Sequence, residues 1–552
     1  MTKSALQTAR ASYEPKMPAI LKGPVVAVDG ARTQSVADRE EIEKQFPHTY
    51  GMPVVTFERG GEAKTFPPVN VGVLLSGGQA PGGHNVIAGL FDGLKAGNRD
   101  SHLFGFILGP GGLVAHKYRE LTKDIIDEYR NTGGFDIIGS DRTKLNKKEG
   151  HFDAALSILR TLHISALVII GGDDSNTNAC LLAEHFKSID AGIQVIGCPK
   201  TIDGDLKNEQ IETSFGFDTA CKVYSEVIGN IQRDCNSAKK YWHFIKLMGR
   251  SASHIALECA LQTHPNICLI SEEIEEKKLT LDDIVNSIAE TIATRAFAGD
   301  TFGTVLIPEG LIEFIPAMKR LFAELNSVLI RHEGEFKMIK RSEQCAYIAS
   351  KLTLDNDRLY TSLPDNVARQ LLLERDAHNN VQVSLIETEK LLAEMVGNRI
   401  REWQRDRKKY PADTKFATQT HFFGYEGRCA APSNYDADYC YSLGYTASRL
   451  VYAGKTGYMA SVRNTTAPAD CWTAGGVPIS MMMNMETKGD KRIPVIRKAL
   501  VRLDGAPFRE FAARRDEWAI KTDYVYPGPI QYFGPPEVCD QPTITLQYEQ
   551  AR

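Results

Sequence analysis

The feature that most restricts what this chain can fold into is an alternation. Short apolar runs rich in β-branched residues, each closed by glycine or a carboxylate, are followed by longer segments of helical period. The runs stand at residues 71–75, 103–108, 166–170, 194–197, 244–247, 267–270 and 304–307. Continuous apolar runs of this length fit parallel strands buried on both faces. The intervening segments carry helix signals. Thr280 with Asp283 three residues on predicts a capped start, and Ile284, Ile288 and Ile292 recur as one buried face. The pattern predicts a doubly wound α/β architecture, in which ligands bind at the carboxyl ends of the strands.

Composition narrows the class. The 552 residues carry 65 Lys and Arg against 69 Asp and Glu, a formal charge of −4. That balance offers no broad basic face, which argues against nucleic acid as a main partner. The best membrane candidate, residues 164–170, is far short of the ~20 apolar residues a span needs. The N-terminus has no hydrophobic stretch before a small-residue cleavage site, which weighs against secretion. Eleven cysteines lie scattered without a Cys-x-x-Cys pair, the usage of reduced thiols rather than a disulfide scaffold or zinc site. The expectation is a soluble cytoplasmic enzyme.

Along the chain, residues 1–68 are weakly patterned and read as an N-terminal surface extension. Residues 69–240 form the larger α/β domain. Residues 241–315 and 416–487 form a smaller one. Between them, at 316–415, strand signals fade, and 340–352, 365–375 and 387–407 carry helical spacing with dense charge, which predicts a helical insertion. Residues 488–552 are charged and then proline-rich, a peripheral C-terminal extension.

Each candidate chemical group follows a predicted strand. Ser76-Gly-Gly-Gln-Ala-Pro-Gly-Gly83 is either a phosphate cradle, with glycine backbone N–H groups and a helix N-terminus facing the anion, or a tight turn that needs glycine only for its dihedrals. In Gly171-Gly-Asp-Asp-Ser175 two adjacent carboxylates suit Mg²⁺, a hard cation that bridges to phosphates, or else one of them caps the next helix. Pro199-Lys-Thr-Ile-Asp-Gly-Asp205 offers Asp203 as a base and Lys200 as a charge for phosphoryl transfer; alone, it reads equally as a solvated turn. Met248-Gly-Arg250, Pro308-Glu-Gly310 and Tyr425-Glu-Gly-Arg428 follow. Arg250 and Arg428 could grip a phosphate bidentately, and Glu309 could accept from sugar hydroxyls. Lys240-Tyr241 is open to both a surface and a ligand role, while Met481–Met483 reads as core.

Taken together and in this order, the segments resemble the phosphofructokinase family, from Gly77 to Arg428 along about 350 residues. The resemblance implies two doubly wound, Rossmann-like α/β domains with mainly parallel sheets and the active site between them. It implies Mg²⁺-dependent phosphorylation of the 1-hydroxyl of fructose 6-phosphate. By position, it places Gly77 at the phosphoryl donor, Asp173 on Mg²⁺ and Asp203 as the base, with Thr201, Ile202 and Asp205 beside it. It places Met248, Gly249, Arg250 and Glu309 at the sugar phosphate, with Tyr425, Glu426, Gly427 and Arg428 holding the 6-phosphate. Arg142 resembles a position near the donor phosphates. Lys240 and Tyr241 match a segment that reaches a neighbouring subunit's site, which implies an oligomer, expected here as a homodimer.

Two departures bear on the donor. Members that use ATP have glycine where this chain has Asp174 and where it has Lys200, and both replacements resemble the pyrophosphate-dependent branch. A carboxylate at Asp174 would repel a nucleotide α-phosphate. Lys200 would add a cation beside the transferring group. The 116 positions between Glu309 and Tyr425 leave room for the helical insertion, as in the long pyrophosphate-dependent form, and place it where it could border the active site. The alternatives are an ATP-dependent member, a kinase of the wider group with Gly-Gly-Asp turns, and a non-catalytic regulatory subunit. The intact Lys200-Thr-Ile-Asp203 argues against the last.

Overall fold

The computed structural model describes residues 4–61, 66–146, 148–372, 385–406, 409–488 and 491–529. The chain forms two compact units, the first from the described residues of Met1–Ala220 and Tyr425–Ala499, the second from Cys221–Gly424 and those of Leu500–Ile530. The first unit begins with strands β1 (Val25–Arg32), β2 (Pro53–Arg59), β3 (Asn70–Ser76), β4 (His102–Phe106), β5 (Tyr118–Glu120), β6 (Ser140–Asp141), β7 (Ile164–Gly171) and β8 (Gln194–Pro199). The second contributes β9 (Trp242–Leu247), β10 (Ile267–Cys268), β11 (Gly303–Pro308) and β12 (Thr418–Phe423). The chain then returns to the first unit with β13 (Tyr458–Arg463), β14 (Thr473–Pro478), β15 (Met483–Lys488) and β16 (Lys491–Ile496).

The first unit is built on a ten-stranded sheet ordered β1-β2-β14-β13-β8-β7-β3-β4-β5, with β6 added to β3. Its centre, from β13 to β4, is parallel; antiparallel strands complete both edges. The reason is legible in β7, where Ser165 alone is not fully buried, as a strand covered by helices on both faces requires. β3 sends the chain out to β4 on one side, and β7 sends it to β8 on the other. Their connections therefore diverge and leave a crevice at the carboxyl ends of β3 and β7.

The helix Gly83–Gly97, which follows the first glycine turn, packs against Asn434–Tyr452 at very short range. A Cβ on Gly444 would stand 2.7 Å from Leu90 N, so only glycine permits this approach.

The second unit holds a four-stranded parallel sheet, β10-β11-β9-β12, with every residue of β9 and β11 buried. The predicted cap forms: Asp283 N donates to Thr280 Oγ1 at 3.1 Å and Thr280 N to Asp283 Oδ2 at 2.9 Å. Ile284, Ile288 and Ile292 are buried behind it. The insertion is helical, including Gln344–Ala349, Asp365–Gln370 and Thr388–Arg405; residues 373–375 and 407 of the expected segments lie outside the described residues. Its Leu321, Leu325, Tyr360, Leu391 and Ile400 share one core with Phe244, Val305 and Ile307 of the sheet. Lys246 of β9, 3% exposed, donates to the Ile386 carbonyl at 2.9 Å and lies 3.2 Å from Glu389 Oε2. The insertion is thus fastened to the strand that leads into Met248.

Four boundaries differ from the sequence expectation. Residues 221–240, expected in the larger domain, fall in the second unit. Residues 425–487 belong with the first unit, not with 241–315, because β13 pairs with β8 and β14 with β2. β13 reads Tyr-Met-Ala-Ser-Val-Arg, not a β-branched run, and its parallel partner is distant in sequence. The N-terminal residues are no mere surface extension, since β1 and β2 enlarge the sheet. Nor is the stretch after 487 peripheral: β16 pairs with β15 in the first unit, and Ala506–Ile520 packs in the second, with the Trp518 carbonyl accepting from Asn266 Nδ2 at 3.0 Å.

Removing Glu389 would leave Lys246 a buried, uncompensated charge, a change that costs about 3–5 kcal/mol. Glu389→Ala is expected to lower the unfolding temperature and speed amide exchange in β9. The double variant Lys246→Met/Glu389→Leu is expected to recover most of the loss. A single variant with wild-type exchange in β9 would show that the pair does not fasten the insertion.

Candidate active site

The carboxyl ends of β3, β7 and β8 bring three of the sequence motifs together in the first unit. After β3 the chain turns through Gly77, at φ +86°, a conformation that favours glycine. Gly77 N donates to the Asp141 carbonyl at 2.8 Å and its own carbonyl accepts from Ser140 Oγ at 2.9 Å. The absent side chains leave room for cations: a Cβ on Gly77 would lie 3.3 Å from Lys200 Nζ, and one on Gly78 would lie 2.9 Å from Arg428 Nη1. Gly77 is favoured by its backbone conformation, and Gly78 leaves the space that the Arg428 guanidinium takes.

β7 ends in Gly171, and Asp173 opens the helix Asp173–Ser188, whose N-terminal partial charge favours a carboxylate. Asp173 Oδ2 lies 3.6 Å from Lys498 Nζ. Asp174, more exposed, lies 3.4 Å from Lys144 Nζ.

β8 delivers Lys200, which is buried. Its pKa is lowered to about 8, first by desolvation and then by the charge of Arg428, with Arg142 acting the same way; Asp203 and Asp173 oppose the shift. In the following turn, Asp203 N donates to Thr201 Oγ1 at 3.0 Å, while Asp203 Oδ1 is buried and accepts no hydrogen bond. Asp205 is held up at about 7, first by burial and then by Asp203 and Asp173, against the pull of Lys498. The Nε of Arg428 is likewise buried with no hydrogen-bond partner. A carboxylate oxygen and a guanidinium N–H left unpaired in one crevice are the complement of a ligand carrying both a proton donor and an anion.

Among the described residues, no group of three or more His, Cys, Asp or Glu side chains could cage a metal. Mg²⁺ asks for less: one or two carboxylates, its own waters and substrate phosphates. Asp173 fits that need. With Asp203 and Asp205 it forms a carboxylate set close enough to raise the pKa of Asp205.

In the second unit a second group gathers at the carboxyl ends of β9 and β11, where this sheet changes winding direction. Glu309 N donates to the Leu247 carbonyl at 2.9 Å, and Gly249 N donates to Glu309 Oε2 at 3.0 Å. Gly249 has φ +125°. Met248 and Glu309 are buried. The guanidinium of Arg250 pairs bidentately with Glu313, at 3.0 and 2.9 Å.

The chain from residue 70 to 451 matches the family model described as Phosphofructokinase. A pyrophosphate–fructose 6-phosphate 1-phosphotransferase of Porphyromonas gingivalis is 66% identical over 550 residues, covering all of both chains. The chain belongs to the phosphofructokinase family. A second relative of the same name, from Treponema pallidum, is 54% identical over all of this chain and 98% of its own. Among solved structures, a pyrophosphate-dependent phosphofructokinase from Marinobacter aquaeolei shares the fold at a TM-score of 0.53. It is 15% identical, covering 82% of this chain and 91% of its own.

Of the residues singled out in this phosphofructokinase sequence, Gly77, Asp173, Lys200, Thr201, Asp203, Asp205 and Arg142 converge in the first unit. Arg428 joins them, against Gly78, on the short helix Tyr425–Arg428 that also carries Glu426 and Gly427; Tyr425 is 64% exposed. Ile202 is buried beneath the turn. Met248, Gly249, Arg250 and Glu309 form the second group. Lys240 and Tyr241 do not join it, because they precede β9 and stand at its amino end, while Met248 follows its carboxyl end, about 20 Å along the six-residue strand at ~3.3 Å per residue. Sequence reasoning missed Lys144 and Lys498. Lys498 follows β16, so the rule that chemical groups follow strands would have found it had 491–496 been recognised as a strand.

Lys200 carries charge below its pKa of about 8 and loses it above. If that charge is used, kcat/KM for the phosphoryl donor falls as pH rises through about 8. Lys200→Arg is expected to move this alkaline limb upward by more than one pH unit, because a guanidinium keeps its proton. An unmoved limb in the pH profile would assign it to another group.

Proposed function

We propose that this phosphofructokinase transfers a phosphoryl group reversibly from pyrophosphate to the 1-hydroxyl of fructose 6-phosphate, giving fructose 1,6-bisphosphate and phosphate. The observation that carries the choice of donor is the pair Asp174 and Lys200. Lys200 fills the space over Gly77 with a buried ammonium, and Asp174 with Lys144 occupies the rim of the same crevice. A compact polyanionic donor gains from the first. A nucleotide, which must extend past the rim, meets a carboxylate there.

The steps follow from the groups present. Asp203, whose Oδ1 has no other partner, accepts the proton of the 1-hydroxyl as it attacks in line. Lys200 and the backbone of the glycine turn stabilise charge on the transferring phosphoryl oxygens; Arg428, which the resemblance places at the 6-phosphate, stands instead against Gly78 beside Lys200 and adds to that charge. Asp173 would hold Mg²⁺, which would supply charge neutralisation at the donor oxygens. Gly249 N–H fixes Glu309, which orients the sugar; Arg250 exchanges Glu313 for the sugar phosphate. No covalent intermediate is required.

The position of Lys240 and Tyr241 supports a homodimer in which this pair serves the partner subunit's sugar site, since one chain cannot carry them to its own Met248. The reaction and the free thiols suit the cytoplasm. No helix among the described residues is long and apolar enough to cross a membrane.

Turnover of fructose 6-phosphate in a coupled assay is expected with Mg²⁺ and pyrophosphate but not with ATP; turnover with ATP alone would overturn the donor assignment. Asp203→Ser is expected to lower kcat by ~10²–10⁴-fold with little change in sugar affinity. Asp174→Gly combined with Lys200→Gly is expected to admit ATP.

A further inference from the structure

The mechanism above leaves Lys498 without a task, although its Nζ stands 3.6 Å from Asp173 Oδ2. Its place is built by backbone bonds on both sides. Ile496 N donates to Thr177 Oγ1 at 3.3 Å, which ties the end of β16 to the helix opened by Asp173. Ala499 N donates to the Asp205 carbonyl at 2.7 Å, which ties the chain to the catalytic turn. Lys498 is thus fixed between the two carboxylate-bearing elements. Its side chain is 42% exposed, and an ion pair open to solvent adds little stability. A lysine held in register over Asp173, Asp203 and Asp205 is better accounted for by a ligand than by the fold.

We propose that Lys498 is a pyrophosphate-binding residue: it gives its ammonium to a phosphate oxygen of the donor and, before the donor arrives, stands in for the metal by holding Asp173. Asp173 keeps its position in the ligand-free enzyme because a cation already faces it. The arriving metal–pyrophosphate then supplies a cation to Asp173 and an anion to Lys498, so both partners of the internal pair are re-satisfied. Lys200 faces the transferring phosphoryl group, and Lys498, on the metal side, serves the phosphate that leaves. The proposal rests on the assignment of Asp173 to the metal-bearing donor site.

The test is titration calorimetry with the non-transferable analogue methylenediphosphonate and Mg²⁺, beside steady-state kinetics. Lys498→Met, which keeps the apolar stem, is expected to weaken analogue binding at least tenfold and raise KM for pyrophosphate equally, with KM for fructose 6-phosphate unchanged within twofold. Lys498→Arg is expected to restore most of the affinity. Analogue affinity within twofold of wild type in Lys498→Met overturns the proposal, as does an equal loss for both substrates. Lys498→Gln is measured in parallel, so that a folding defect in one variant leaves the comparison standing. Asp173→Asn separates the two levels. If it leaves the Mg²⁺ dependence of analogue binding intact, the donor-site assignment fails; if it abolishes that dependence while Lys498→Met binds normally, only the role of Lys498 fails.

Discussion

The arrangement depends on a buried ammonium. Lys200 sits over a glycine turn with the charges of Arg428 and Arg142 working to strip its proton, a costly concentration of positive charge in a desolvated crevice. Asp203 and Asp173 offset part of that cost, and a phosphate anion would offset the rest. The same requirement explains the glycines. A side chain at Gly77 or Gly78 would occupy the space taken by the ends of Lys200 and Arg428.

Around that charge the carboxylates divide the work by environment. Asp203 keeps one buried oxygen unpaired. Asp205, more deeply buried beside two other acids, is pushed up to about 7. Asp173 stands at a helix N-terminus and faces Lys498. In the second unit the logic is positional: the backbone of Gly249 fixes the buried Glu309, and the insertion fastens β9 through Lys246.

The core of each sheet was readable because a parallel strand covered on both faces must be apolar throughout. The runs at 166–170 and 244–247 became β7 and β9, and Thr280 with Asp283 marked a helix start that forms as expected. Edge and hairpin strands escaped for the opposite reason. β1 is half exposed along its length, and β16 begins with Lys491 and Arg492, both exposed, so neither carries an apolar run. Lys498 escaped with β16.

The sequence by itself determined the local chemistry: glycine turns after buried strands, the Lys200–Asp203 turn, and the two residues that bear on the donor. These are contiguous or nearly so, and their side-chain types alone constrain what they can do. Only the tertiary structure decided which distant groups meet them. Arg428 against Gly78, Lys498 against Asp173 and Lys144 against Asp174 join segments far apart in the chain. Such pairings follow from strand order and helix packing, which no local pattern encodes, and they set the burial and charge on which each group's proton affinity depends.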